Sequence, residues 1–157
     1  MKIMKEKITL KKELAMFSNI VVRIIILTVL SYFLEFEMWF NILAFSATTL
    51  PTLYLHLQYS YSDRNKSLVL DKSSIHLEIN DKVFDLSTSN KIIINGHVAL
   101  TRNVIPIFVS PNYYNVTFLS EEFGEVSVSS LVYRDLKILI VEHFDEDIIS
   151  YEYFWLY

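Results

Sequence analysis

An apolar run of 42 residues, from Met16 to Leu57, constrains this chain more than any other feature of its sequence. Its only charged side chains are those of Arg23, Glu35 and Glu37. The two glutamates separate Phe17–Leu34, of 18 residues, from Met38–Leu57, of 20 residues, and each segment is close to the ~20 residues that cross a bilayer as a helix. The sequence therefore predicts a membrane α-helical hairpin with two transmembrane helices over residues 16–58.

The charges that flank this run predict its orientation. Basic residues precede the first segment and follow the second, whereas the connection between the segments is acidic; these basic residues are Lys2, Lys5, Lys7, Lys11, Lys12, Arg64, Lys66 and Lys72. Loops rich in Lys and Arg remain on the cytoplasmic side. We therefore expect a basic cytoplasmic N-terminus over residues 1–15, two cytoplasmic termini, and a location in the lipid bilayer of a bacterial inner membrane.

Polar and aromatic side chains near the ends of the predicted spans are candidates for the membrane interface. Arg23 lies about 9 Å along a helix from the start of its segment, and its side chain is long enough to reach the headgroups. A functional role for Arg23 inside the membrane is the alternative. Aromatic side chains favour the same interface, so the candidate interface residues are Arg23, Trp39, Tyr59 and Tyr61.

Small side chains recur at four-residue spacing in the second segment. Ala44, Thr48 and Thr52 would share one helical face, and small residues allow two helices to approach closely. This face is predicted to pack against the first helix, with a homodimer contact as the alternative.

Short runs of alternating apolar and polar residues predict a mainly antiparallel, β-rich cytoplasmic domain over residues 66–157. One predicted hairpin turns at Asn80 and Asp81, between Ile75–Ile79 and Lys82–Leu86. A second turns at Asn95 and Gly96, because Asn-Gly suits a two-residue turn. The other predicted strands are Lys91–Ile94, His97–Leu100, Val104–Val109, Tyr113–Leu119 and a run through Val126 and Val128.

The C-terminal part is predicted to form a helix followed by an aromatic tail. The spacing of apolar residues over Leu131–Phe144 favours a helix capped by Ser130, although a buried strand is the alternative. Strands followed by one such helix would give a partly open barrel with the helix at one end. The tail either packs back onto the domain or contacts a partner or the membrane, and its candidate partner-binding residues are Tyr151, Tyr153, Phe154, Trp155 and Tyr157.

This order of parts resembles small bacterial two-helix membrane proteins with a C-terminal pleckstrin-homology-like (PH-like) domain, the YcxB-like proteins among them. The resemblance is carried by the apolar hairpin, the strand-like run from Leu68 to Ser129 and the candidate helix after it. It implies a PH-like partly open barrel with a C-terminal helix and a scaffold or interaction role, and it transfers no functional residues.

Composition excludes several classes of function. The chain has no cysteine and two glycines, which leaves no thiolate metal site and no glycine-rich loop for phosphates. Residues 66–157 carry seven basic and thirteen acidic side chains, a net charge of −6. Phosphate ligands need clustered Lys and Arg, so we expect no nucleic acid partner, and a basic protein is the natural complement. We expect no cofactor, no metal and no catalytic residues.

Three functions from different classes remain. The leading expectation is a membrane-anchored protein-interaction or scaffold module without catalysis. One alternative is a membrane-bound immunity protein that neutralises a toxin, in keeping with the small size and the acidity of the chain. The other is a subunit of a membrane enzyme or transporter, which would use polar groups in the spans such as Arg23, Asn41 and Thr49.

Overall fold

The protein is built from two four-stranded sheets, a hairpin of two long helices and one short helix. A computed structural model describes residues 4–35, 37–71, 74–96 and 113–153. The elements in chain order are β1 (Met4–Lys7), α1 (Leu10–Leu34), α2 (Met38–Ser62), β2 (Lys66–Leu70), β3 (Ile75–Ile79), β4 (Lys82–Asp85), β5 (Lys91–Gly96), β6 (Tyr114–Ser120), β7 (Gly124–Ser129), α3 (Leu136–His143) and β8 (Ile149–Tyr153), with 3₁₀ turns at Leu86–Thr88 and Glu146–Ile148.

The first sheet has the strand order β1-β2-β3-β4 and is antiparallel throughout, whereas the second has the order β7-β6-β5-β8 and contains one parallel pair, β5 with β8. Strand β1 brings the N-terminus into the first sheet, with Glu6 opposite Leu68. No sequence pattern predicts this strand, because Met4–Lys7 is mostly charged and shows no apolar face.

Apolar side chains of both sheets and of α3 form one core. Every second residue of β6 is buried, and the buried residues of β3 and β5 alternate in the same way. Each fully buried large apolar side chain contributes about 1.5–3 kcal/mol through the hydrophobic effect. The fully buried members include Leu68, Leu77, Ile92, Ile94, Val116, Phe118, Leu136 and Ile140.

One of the two predicted hairpin turns is confirmed and the other is wrong. Asn80 and Asp81 turn the chain between β3 and β4 with φ of 46° and 67°, the positive values that a tight two-residue turn requires. Asn95 and Gly96 instead continue β5, opposite Asn115 and Tyr114 of β6. Pairing along β6 outweighs the local turn preference of Asn-Gly. The predicted strands His97–Leu100 and Val104–Val109 lie outside the described residues.

The predicted partly open barrel with a C-terminal helix is wrong. Helix α3 is shorter than the predicted one and begins after Asp135, while Ser130 is buried and its hydroxyl accepts a hydrogen bond from the backbone N–H of Tyr114 at 3.3 Å. The chain then continues into β8, which extends the second sheet alongside β5. The helix is therefore a connection between strands, and the tail packs back onto the domain as far as Tyr153.

Helices α1 and α2 pack against each other as an antiparallel hairpin. Thr9 caps the start of α1, its hydroxyl accepting a hydrogen bond from the Lys12 backbone N–H at 3.3 Å. At the closed end of the hairpin, the Ser31 hydroxyl donates to the side-chain oxygen of Asn41. At the other end, the Ser60 hydroxyl donates to the Glu13 carboxylate.

The predicted pair of transmembrane helices is wrong. Within the part of the chain that the structure describes, no helix has a stretch both long enough and apolar enough to span a bilayer. The structure differs from this prediction at both ends of the apolar run. Helix α1 includes Lys12 and Glu13 in its first turn, and Leu55 and His56 are buried against the β part. The predicted location in an inner membrane, with two spans and both termini cytoplasmic, is wrong for the same reason.

Candidate functional site

Among the described residues, the outer surface of the helical hairpin carries most of the exposed large apolar side chains. Of 24 large apolar side chains that are exposed among the described residues, twenty lie on α1 and α2. We call these twenty side chains the hairpin surface. They are Leu14, Val21, Val22, Ile25, Ile26, Val29, Leu30, Tyr32, Phe33, Leu34, Met38, Trp39, Phe40, Ile42, Leu43, Phe45, Leu50, Tyr54, Leu57 and Tyr61.

This surface exists because both helices are apolar on all sides, whereas each has only one packed stripe. Residues such as Ile20, Thr49 and Thr52 are at most 8% exposed. Two helices alone cannot cover each other completely, and a helix that is apolar all round is normally buried on every side. The hairpin therefore presents an apolar surface that nothing in the chain covers among the residues described.

One face of α2 is concave. A shallow cavity of about 700 Å³ lies along it, lined mostly by apolar side chains. Trp39 stands at one end, 63% exposed, and Pro51 lies at the other. The cavity has the size of a ligand pocket, but it is open along its length, so it suits an apolar side chain or helix of a partner better than an enclosed small molecule.

A buried ion pair ties the hairpin to the second sheet. Strand β7 lies at an edge of that sheet, so one side of its backbone lacks a neighbouring strand. The Asp63 carboxylate accepts a hydrogen bond from the Ser129 N–H at 2.7 Å, and the Lys66 ammonium donates to the Ser127 carbonyl at 2.6 Å. Asp63 and Lys66 also pair with each other at 2.8 Å, with side chains 2% and 10% exposed. The pair thus takes the place of a neighbouring strand along this edge.

Aromatic and titratable side chains fill the rest of this junction. The His56 ring lies edge-on to Tyr113, and its Nδ1 is 2.9 Å from the Tyr113 hydroxyl oxygen. Burial lowers the pKa of His56, and the nearby Glu13 carboxylate partly opposes that shift. Burial, together with the Asp63 carboxylate, raises the pKa of Tyr59 to about 12. The tyrosine is therefore neutral at physiological pH.

Lys12 connects two further segments at the same junction, β1 and the turn before α3. Its ammonium pairs with the Glu6 carboxylate of β1 and donates to two backbone carbonyls, those of Lys7 at 3.1 Å and Val132 at 2.6 Å. One side chain of α1 thus contacts the first sheet and the turn before α3. Hydrogen bonds from a charged donor are about twice as strong as neutral ones, so we interpret the junction as a rigid support for the hairpin.

The candidate interface and helix-packing residues lie in different environments. Trp39 and Tyr61 belong to the hairpin surface, with Tyr61 86% exposed, whereas Tyr59 is buried in the junction. Arg23 lies in the middle of α1. Thr52 is buried at 1% exposure, while Ala44 is half-buried and Thr48 lies one turn before Thr52 in α2.

The candidate residues of the tail lie partly in β8. Tyr151 is 37% exposed, and the Lys137 ammonium stands over its ring at 5.5 Å from the centroid. Tyr153 is the last residue of β8. Phe154, Trp155 and Tyr157 lie outside the described residues.

Sequence patterns do not predict the residues that build the junction. Asp63 and Lys66 occur in a polar stretch that predicts only a domain boundary. No local sequence pattern distinguishes a buried ion pair from one exposed to solvent. His56 carried a usable signal, because it is a titratable side chain inside an otherwise apolar run.

No family model matches this sequence, and comparison with curated proteins and with solved structures gives no match either. Among residues 4–35, 37–71, 74–96 and 113–153, no three side chains of the metal-binding types cluster together. The hairpin surface and the residues beneath it are therefore the basis of the functional argument.

Proposed function

We propose that this protein is a protein-interaction module whose hairpin surface binds another protein. The observation that carries the proposal is the concentration of twenty exposed apolar side chains on α1 and α2. Monomeric proteins rarely expose contiguous apolar patches beyond a few hundred Å², and larger ones mark sites of interaction. The surface is also rich in Trp, Tyr, Phe and Met, the residues enriched at the cores of protein interfaces.

The area of the surface is sufficient for a stable complex. Seven of its side chains are aromatic, with exposed fractions between 38% and 86%. At roughly 150–250 Å² for each whole aromatic side chain, these seven alone expose on the order of 900 Å². A standard protein interface buries about 800 Å² on each partner. The exposed aromatic area of the hairpin is therefore comparable in size with one side of such an interface.

A charge-insertion experiment tests this proposal. Leu30→Lys combined with Leu43→Lys places two ammonium groups on the hairpin surface, where the native leucines are 47% and 61% exposed. Because a charge buried without a partner is costly, we expect that the double variant no longer cross-links to a partner protein through α1 and α2 in cells. Its denaturation midpoint should stay close to that of the unmodified chain. Site-specific cross-linking from Phe33 and Trp39, followed by mass spectrometry, identifies that partner or a second copy of this chain.

Val83→Lys is the matched control, because Val83 is 64% exposed but lies on β4. The control should retain the cross-linked protein. Equal loss in the control would contradict the proposal. Recovery of the unmodified chain with lipid alone, and with no protein cross-linked to the hairpin, would overturn it.

A further inference from the structure

A continuous groove runs across the base of the hairpin, where the helices meet the first sheet. It consists of two cavities of about 400 and 370 Å³ that share Arg64. The first lies between β1, β3 and the connection from α2 to β2, and the second lies between the start of α1 and the end of α2. We call the two together the base groove.

The first half of the base groove is basic. Two of its four cations are already engaged, since Lys66 pairs with Asp63 and Lys5 pairs with Glu78. The Ser67 hydroxyl also donates to Glu78 at 3.0 Å, and these contacts hold the pKa of the Glu78 carboxyl below its usual value.

Two cations in this half are available to a ligand. The Lys7 and Arg64 side chains are exposed, and neither makes an ion pair with any other residue that the structure describes. Asp81 is the one further carboxylate that lines this cavity. In a chain of net charge −4, the groove is thus a local site for negative charge.

The second half of the base groove combines three apolar side chains with the polar or charged side chains of Glu13, Ser60 and Arg64, and two of its apolar residues belong to the hairpin surface. Leu57 and Tyr61 line it and are 61% and 86% exposed, and Ile8 contributes a half-buried side chain. The Glu13 carboxylate in this half accepts a hydrogen bond from the Ser60 hydroxyl. An occupant of the whole groove would need negative charge at one end and an apolar group at the other.

We propose that the base groove binds an acidic segment of the partner protein, with carboxylates at Lys7 and Arg64 and an apolar side chain against Leu57 and Tyr61. This inference rests on the proposed function, because it places the segment beside the hairpin surface on the same partner. Phosphate alone would use only the basic half. A long polyanion would meet the acidic remainder of the chain, where like charges repel.

A synthetic peptide tests the inference on the full chain. The probe is a fluorescein-labelled peptide of alternating Glu and Phe, and its matched control has Gln in place of every Glu. We expect fluorescence anisotropy to show binding of the Glu peptide that weakens as salt is raised, because exposed charges are screened. The Gln peptide should bind at least about tenfold more weakly, since two charge contacts are lost.

Charge reversal locates the site. Lys7→Glu combined with Arg64→Glu should weaken binding of the Glu peptide about tenfold or more. Lys82→Glu combined with Lys91→Glu is the control, because both lysines are exposed on strands outside the groove. Circular dichroism checks the fold of each variant. If the reversed variant is misfolded, the milder Lys7→Gln and Arg64→Gln pair replaces it.

The outcomes separate this inference from the proposed function. Equal binding of the two peptides, an equal effect of the control reversal, or displacement of the peptide by inorganic phosphate at micromolar concentration would overturn the inference. A chain that binds the Glu peptide at the groove, but cross-links to no protein through α1 and α2, contradicts the proposed function alone. If the Leu30 and Leu43 variant loses the cross-linked partner, but the unmodified chain does not bind the Glu peptide, only the inference about the base groove is contradicted.

Discussion

The helical hairpin and the β part of this protein differ in the exposure of their apolar side chains. In the β part, four large apolar side chains are exposed among the described residues, and the core cluster contains side chains such as Leu77 and Phe118 at 0–1% exposure. In the hairpin, twenty are exposed and few are fully buried. Both regions are rich in apolar residues, so the amount of apolar sequence does not explain the difference.

The pattern of those residues explains it. Strands β5 and β6 alternate buried and less buried residues, so a single packed face is enough to cover their apolar side chains. Helices α1 and α2 have apolar residues around the whole circumference, and one neighbouring helix covers only one stripe. Among the described residues, the packed faces of the β part therefore cover most of its apolar side chains, whereas the outer sides of the hairpin remain exposed.

The junction between the two regions gives the largest expected effect of a single substitution. Asp63→Ala leaves the Lys66 ammonium buried without its carboxylate and removes the acceptor of the Ser129 N–H. Breaking a buried ion pair in this way costs about 3–5 kcal/mol. We expect that loss in the free energy of unfolding, measured by urea denaturation. Glu121→Ala, at an exposed turn position, should change it by less than about 0.5 kcal/mol, and an equal loss in the two variants would disprove the role of the junction.

The same substitution in each region tests the comparison directly. Leu77→Ala removes a side chain at 0% exposure from the core, and Leu43→Ala removes one at 61% exposure from the hairpin surface. Core truncations of this kind cost about 2–5 kcal/mol, while exposed ones change stability by about 0.5 kcal/mol or less. Urea denaturation of the two purified variants measures both values. A cost for Leu43→Ala as large as for Leu77→Ala would mean that the hairpin is already covered in the isolated chain.

Acidification is expected to give the smallest of the three changes in stability. It acts through His56, which lies where the hairpin contacts the β part. Burial lowers the pKa of His56 in the folded protein, whereas the unfolded chain has a pKa near 6.5. The unfolded state then binds the proton more readily, so this contribution to stability is complete above about pH 6.5 and is lost as the pH falls. We expect the urea midpoint to fall less between pH 7.5 and pH 5 in His56→Gln than in the unmodified chain.

His143→Gln is the matched control for that measurement, because His143 is exposed at the end of α3. Its midpoint should depend on pH as that of the unmodified chain does. Identical pH dependence in the His56 variant and the unmodified chain would show that burial does not lower the pKa of His56.

Local sequence patterns correctly predicted those elements whose tertiary contacts favour the same conformation. The turn at Asn80 and Asp81, strand β6 and the valine alternation of β7 are all present. Predictions that depended on distant contacts did not hold. Asn95 and Gly96 pair with β6 instead of turning, and β1 forms only because β2 is available beside it. The apolar run that forms the hairpin surface predicts two membrane crossings, and the structure contains no helix of that kind among the described residues.

The sequence by itself determined that this chain has two long apolar helical segments, an acidic β-rich part and an aromatic C-terminal tail, because hydropathy, charge and alternation are properties of neighbouring residues. The tertiary structure alone decided where Asp63, Lys66 and His56 lie, which strands share an edge, and which side of each helix is covered. Those properties depend on residues far apart in the chain, such as Asp63 and Ser129. The hairpin surface and the base groove both depend on such contacts, because the packing of the two helices against each other and against the β part decides which of their side chains remain exposed.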